Sequence, residues 1–178
     1  MSTTLVAPSP APFTPVPRTP SIRRIGLIGA GDVVRGRYWP ALATVSPALT
    51  GVLVCSREPQ SPLAGIPHSY LHVAGDGVLP LGEIDARGFL SRETLWIIAA
   101  STDCHAPCAL QLAPHAPVAI EKPIAATAEQ ARALLPLARR GLAVYPIDHK
   151  LFSADFLAFL DQCRALPEFL ARVRHIEG

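Results

Sequence analysis

Residues 25–40 read Ile-Gly-Leu-Ile-Gly-Ala-Gly-Asp-Val-Val-Arg-Gly-Arg-Tyr-Trp-Pro, an apolar run that closes on Gly29-Ala30-Gly31 and passes into a helix-compatible stretch. Gly29 permits a tight turn out of a strand. Gly31 carries no side chain where a pyrophosphate would approach backbone N–H groups at a helix N-terminus, whose partial positive charge favours an anion. Asp32 and Val33 complete the turn. A site of this layout holds NAD, NADP or FAD. The third glycine of the usual G-x-G-x-x-G fingerprint falls at Val34, so on this motif alone a glycine-rich turn that binds nothing stays open.

Outward from the turn, residues 33–45 read as a helix interrupted by Pro40, and residues 51–55 (Gly-Val-Leu-Val-Cys) as a second strand. Residues 58–92 are rich in Pro, Gly, Ser and His and show no helical period. The continuous apolar run at 95–100 suits a strand buried on both faces of a parallel sheet. A helix over 106–113 follows, with Pro107 in its first turn, and then a strand over 117–121. Thr127-Ala-Glu-Gln130 has capping-box form ahead of an apolar series at Ile124, Ala128, Ala131, Leu134, Leu135 and Ala138, and Gly141 stands in the preferred terminating position. Residues 142–147 read as a further strand, Phe152, Phe156, Phe159, Leu160 and Cys163 recur at helical spacing, and 169–176 alternates as a strand. This alternation predicts an α/β, Rossmann-like, doubly wound parallel sheet. Ligands of such sheets bind beyond the carboxyl ends of the strands, where Gly29, Ser56, Ser101, Glu121 and Asp148 fall.

The composition bounds the rest. With 178 residues, 49% of them hydrophobic, the chain buries the core of one ordinary domain. A net charge of +2 and 17% charged residues, with the arginines scattered, argue against a nucleic-acid partner. Cys55, Cys104, Cys108 and Cys163 lack disulfide-framework spacing and read as reduced, intracellular thiols. No stretch reaches the roughly 20 apolar residues of a membrane span, and there is no secretion signal, so a cytoplasmic protein is expected. Residues 2–20 hold six of the 19 prolines, which predicts a disordered tail over 1–21. The cofactor-binding domain is then expected at 22–150, and a linking helix and strand at 151–178.

Several residues can carry chemistry. Ser56-Arg57 follows the second strand, where an acid would bind the ribose hydroxyls of NAD; a hydroxyl and a guanidinium instead suit the 2′-phosphate of NADP, which is the preferred cofactor ahead of NAD. A solvent-exposed arginine paired with Glu58 is the plainer alternative. Glu121-Lys122-Pro123 ends a buried strand and delivers a lysine to the crevice mouth, where its ammonium can hydrogen-bond a reacting hydroxyl and favour an alkoxide. An ordinary charged strand end reads the same way. Cys104-His105-x-x-Cys108 lacks a fourth ligand at matching spacing, and no metal is expected there. His149 is a candidate base or phosphate ligand, or half of a structural pair with Asp148.

In order and spacing, the glycine turn, Ala99-Ala100-Ser101-Thr102 with His105, Glu121-Lys122-Pro123 and Asp148-His149-Lys150 resemble the Gfo/Idh/MocA family of NAD(P)-dependent oxidoreductases over residues 22–176. The resemblance implies that the glycine turn holds the pyrophosphate, that Ala100, Ser101, Thr102 and His105 line the nicotinamide side, that Glu121 contacts the cofactor, and that Lys122 is catalytic. Asp148-His149-Lys150 falls where the family shows an Asn-His-Arg-like segment. The family also carries a C-terminal substrate domain, an open sheet that holds a small sugar-like molecule. This chain stops where that domain would begin, so a truncated product, a fragment or an isolated cofactor domain is expected. Family dimers and tetramers associate chiefly through that sheet, which leaves a homo-oligomer or a partner domain open. Two other readings are a non-catalytic dinucleotide-binding regulator and, on Glu121-Lys122-Pro123 and Ile147-Asp148-His149, a glucose-6-phosphate dehydrogenase-like enzyme.

Overall fold

The computed structural model describes residues 21–57 and 65–148. The expected tail short of Ser21, Glu58, His149, Lys150, the helix and strand read beyond them, and Cys163 lie outside the described residues.

The apolar runs become strands β1 (Arg24–Ile28), β2 (Gly51–Ser56), β3 (Ser69–His72), β4 (Thr94–Ile98), β5 (Val118–Glu121) and β6 (Val144–Ile147). They form one sheet in the order β3-β2-β1-β4-β5-β6, every neighbouring pair parallel. The fold is the Rossmann-like α/β architecture expected from the sequence. Because parallel strands need crossovers, both faces are layered, and alternate residues feed separate cores. On one face Ile28, Leu53, Trp96, Ile98 and Val118 pack with α2 (Leu81–Ala86), α3 (Thr102–Leu112) and α4 (Ala128–Arg139). On the other, Ile25, Leu27, Val52 and Val54 meet Val34, Trp39 and Leu42 on the helical segment that ends in α1 (Trp39–Val45).

The register sets Gly26 against Trp96 across β1 and β4, and a Cβ on Gly26 would lie 2.3 Å from the indole. Gly26 is therefore a packing residue, vacated for a wholly buried tryptophan whose Nε1–H donates to the Phe89 carbonyl at 3.1 Å. Burying an aromatic of this size stabilises by about 4–6 kcal/mol at roughly 25 cal/mol per Å².

The structure differs from the expectations in five places. Pro40 does not interrupt the first helix. Residues 34–38 form a π-helical turn, and Pro40 sits in the first turn of α1 just beyond it, where the widened backbone relieves the clash a proline ring makes one turn back. The 58–92 stretch contains β3 and α2, elements of 4 and 6 residues that are too short to display a period. α3 begins at Thr102 rather than 106, so Pro107 lies inside it and not in its first turn. In α4, Leu135 is 51% exposed while Leu134 and Leu137 are buried, which rotates the apolar stripe away from the expected series. Strand β6 starts two residues later than read. The α4 cap is as expected: the Thr127 hydroxyl accepts from the Gln130 N–H at 3.2 Å, and Gly141 follows with φ +68°.

Candidate functional site

β1 and β4 are neighbours in space but leave the sheet in opposite directions, which opens a crevice beyond their carboxyl ends. A cavity of about 370 Å³ occupies it, within the range of small-molecule sites. The carboxyl ends of three strands meet there. The turn after β1 contributes Gly29, Ala30, Gly31, Asp32 and Val33, the end of β2 contributes Ser56 and Arg57, and the end of β4 contributes Ala100 and Ser101.

The two turn glycines serve different needs. Gly29 has φ +98°, and a Cβ there would stand 2.7 Å from the Ala99 carbonyl oxygen, so the protein itself demands glycine. A Cβ on Gly31 would meet nothing within 4 Å. Gly31 faces the cavity, and its missing side chain leaves the helix start open to whatever enters. The Arg35 N–H donates to the Gly31 carbonyl at 3.0 Å, which leaves the N–H groups just after Gly31 without helical acceptors. Val34, standing where the fingerprint has its third glycine, is wholly buried between helix and sheet, and the wide π turn begins at it.

One wall was not legible beforehand. Residues Val73, Gly75, Gly77, Val78 and Leu79 line the cavity from the loop after β3. This loop hangs from α3: the Cys104 thiol donates to the Gly75 carbonyl at 3.2 Å, the Cys108 thiol to the Gly77 carbonyl at 3.7 Å, and Gln111 Nε2 to that same carbonyl at 2.6 Å. Gln111 Oε1 also accepts the Leu79 N–H at 3.0 Å. Gly75 gives Arg57 its place, since a Cβ there would lie 2.0 Å from Arg57 Cδ, and the arginine stem rests on this bare backbone at the cavity rim. Gly75-Asp76-Gly77 was the signal available in the sequence, a turn composition, and both glycines do take positive φ. Cys55, Cys104 and Cys108 line the floor of the cavity as free thiols. Burial pushes Cys55 and Cys108 up to about 12, so both stay protonated near neutrality.

Ser101 stands at the N-cap of α3 without capping it. Its hydroxyl instead bonds the Asp103 carboxylate, which holds that group below the usual range; burial opposes the shift, and Arg57 adds to it more weakly.

Four expected site residues fall outside the cavity lining. Thr102 is the first residue of α3. His105 is 2% exposed, and its ring nitrogens lie 2.8 Å from the Pro123 carbonyl and 3.0 Å from the Ala100 carbonyl, so the ring sits between two loops, donating to one of these carbonyls when neutral, and is not part of the cavity lining. Glu121 accepts the Tyr38 hydroxyl at Oε1 and the Lys122 N–H at Oε2, 3.1 Å away. Lys122 is exposed at the turn beyond β5, and its peptide bond to Pro123 is cis. His149 lies outside the described residues, as does Glu58, the alternative partner of Arg57. Among the described residues no group of three or more His, Cys, Asp or Glu is placed to hold a metal ion, and no helix is long and apolar enough to cross a membrane.

No protein-family model matches the chain, and no curated protein matches its sequence. Solved structures do share its fold. A Gfo/Idh/MocA family oxidoreductase from Vibrio cholerae is 25% identical, with a TM-score of 0.55 over 71% of this chain and 39% of that one. The WlbA dehydrogenase from Bordetella pertussis, solved with NADH and UDP-GlcNAcA, is 20% identical, with a TM-score of 0.63 over 83% of this chain and 42% of its own. A glucose-6-phosphate dehydrogenase in complex with glucose-6-phosphate is 18% identical, with a TM-score of 0.52 over 74% and 37% respectively. The chain thus spans about two fifths of the length of these structures, and the likeness to Gfo/Idh/MocA oxidoreductases expected from the motifs holds at the level of the fold.

Proposed function

We propose that this chain is the cofactor-binding part of an NAD(P)-dependent oxidoreductase of the Gfo/Idh/MocA kind, acting on a hydroxyl or carbonyl carbon of a sugar-like substrate. The observation that carries this reading is Gly31: it borders the cavity at a helix start, and apart from its own immediate chain neighbours nothing lies within 4 Å of where its side chain would be. Packing gives no reason for glycine at that position, whereas a pyrophosphate lying against the backbone does. The residues present fit the group. N–H groups of the turn would hold the phosphates, and the Ser101 hydroxyl lies on the cavity wall toward β4. Arg57 at the rim, with Ser56 beside it, would take a 2′-phosphate, which favours NADP over NAD.

When bound, the nicotinamide supplies the hydride chemistry. The chain's own part is orientation and proton handling. Lys122 donates a hydrogen bond to the reacting oxygen and stabilises negative charge as it develops there. His149 is the candidate second acid–base group. A sugar-like substrate is supported by the WlbA dehydrogenase having been solved with UDP-GlcNAcA.

Calorimetric titration of the purified chain with NADP and NAD in parallel tests the reading. Both should bind, NADP more tightly, and Arg57→Ala should weaken NADP about tenfold, or 1.4 kcal/mol, with little change for NAD. Equal losses for the two would remove Arg57 as the 2′-phosphate contact; binding of neither would end the proposal.

A further inference from the structure

Lys122 is exposed, and its ammonium meets no hydrogen-bond or ion-pair partner among the described residues, yet the residues on both sides of it are held. Before it, the Tyr38 hydroxyl donates to Glu121 Oε1, while Oε2 accepts the Lys122 N–H at 3.1 Å. After it, the Pro123 carbonyl faces His105 Nδ1 at 2.8 Å, and the other nitrogen of that buried ring stands 3.0 Å from the Ala100 carbonyl on the cavity wall. Tyr38 ends the π-helical turn Val34–Tyr38 that grows out of the glycine turn. Thus the helix leaving the glycine turn and the helix leaving β4 each send one side chain to the loop that carries Lys122.

A solvated surface lysine has no use for such an arrangement, because its ammonium is satisfied by water in any backbone geometry. A group that must meet a reacting atom does need it, since misplacement by about 1 Å costs on the order of a hundredfold in rate. We propose that Tyr38 and His105 are positioning residues that fix Lys122 relative to the cavity, and that Glu121 anchors this turn through Tyr38 instead of contacting the cofactor. What Lys122 does there rests on the functional reading above; the clamp itself does not.

The chain has two lysines, Lys122 and Lys150, so protein labelled with [15N]lysine gives two backbone amide signals, assigned by Lys150→Arg. Without nucleotide, the Lys122 amide of the wild-type chain should be as ordered as a strand, with an order parameter near about 0.85, and should fall below about 0.6 in Tyr38→Phe and in His105→Ala. Tyr145→Phe, at an exposed tyrosine of β6, should leave it unchanged. Melting temperatures measured alongside separate loss of the clamp from loss of the fold. Tyr38→Phe removes a single oxygen and decides the matter if His105→Ala does not fold. An amide that stays ordered in a folded variant strikes that residue from the proposal, and an amide already mobile in the wild type overturns it outright. Failure of NADP and NAD to bind the wild-type chain sinks the functional reading and leaves the amide result to decide the clamp.

Discussion

Gly26, Gly29 and Gly31 occupy alternate positions or close neighbours in one short run, yet each is glycine for a different reason: a tryptophan across the strand, a positive φ against a neighbouring carbonyl, and open space. Substitution separates these causes. Gly26→Ala should cost about 1–3 kcal/mol through overpacking against Trp96, read as a lowered denaturant midpoint. Gly31→Leu should leave the unfolding free energy within about 0.5 kcal/mol and reduce NADP affinity at least about tenfold. An undisturbed nucleotide affinity in Gly31→Leu would mean that the cavity entrance lies elsewhere. The turn was legible from residue types because φ and side-chain volume are local properties. His105 was not, because a histidine in the first turns of a helix beside the crevice looks the same in sequence whether its ring faces the cavity or two buried carbonyls.

At the scale of elements, α3 shows how a helix accommodates an interior proline. Pro107 has no N–H to give the Asp103 carbonyl, and Gln130 Nε2 donates to that carbonyl at 3.3 Å instead. The same Gln130 side chain accepts the Ala126 N–H at 2.9 Å, and its backbone N–H closes the Thr127 cap at 3.2 Å. Gln130→Ala should therefore destabilise by about 1–2 kcal/mol, more than a surface glutamine in mid-helix, and its effect should shrink in a Pro107→Ala background, where the helix meets Asp103 itself. Additive losses in the double variant would remove this compensation. The capping box was readable from Thr127-Ala-Glu-Gln130, but the link to α3 joins positions 27 apart in sequence. β3 and α2 escaped notice for a different reason: with 4 and 6 residues, neither is long enough to complete a recognisable period.

For the molecule as a whole, two of the thiols under the cavity, Cys55 and Cys108, couple stability to pH. Cys55 and Cys108 rise from an ordinary value near 9 to about 12, each chiefly by burial. Burial also raises the Tyr38 hydroxyl, with the Glu121 hydrogen bond adding to it. Each group is neutral when protonated, and the unfolded chain loses these protons first, so the stabilisation is fully present below about pH 9 and declines as pH rises toward 12. Chemical denaturation at a series of pH values should show a falling midpoint over that window, and Cys55→Ala with Cys108→Ala should flatten the fall. A midpoint that holds steady from pH 9 to 11 would show that these thiols are not sheltered as described.

The sequence by itself determined the parallel α/β sheet, the glycine turn and the crevice-facing ends of β2 and β4, because apolar runs, turn glycines and helix caps act over a few residues at a time. Tertiary structure alone decided that the loop after β3 would wall the cavity, that Gly75 would make room for Arg57, and that Tyr38 and His105 would reach the Lys122 turn. Those contacts join segments that meet only after the sheet has formed, and their geometry depends on where each crossover helix lands.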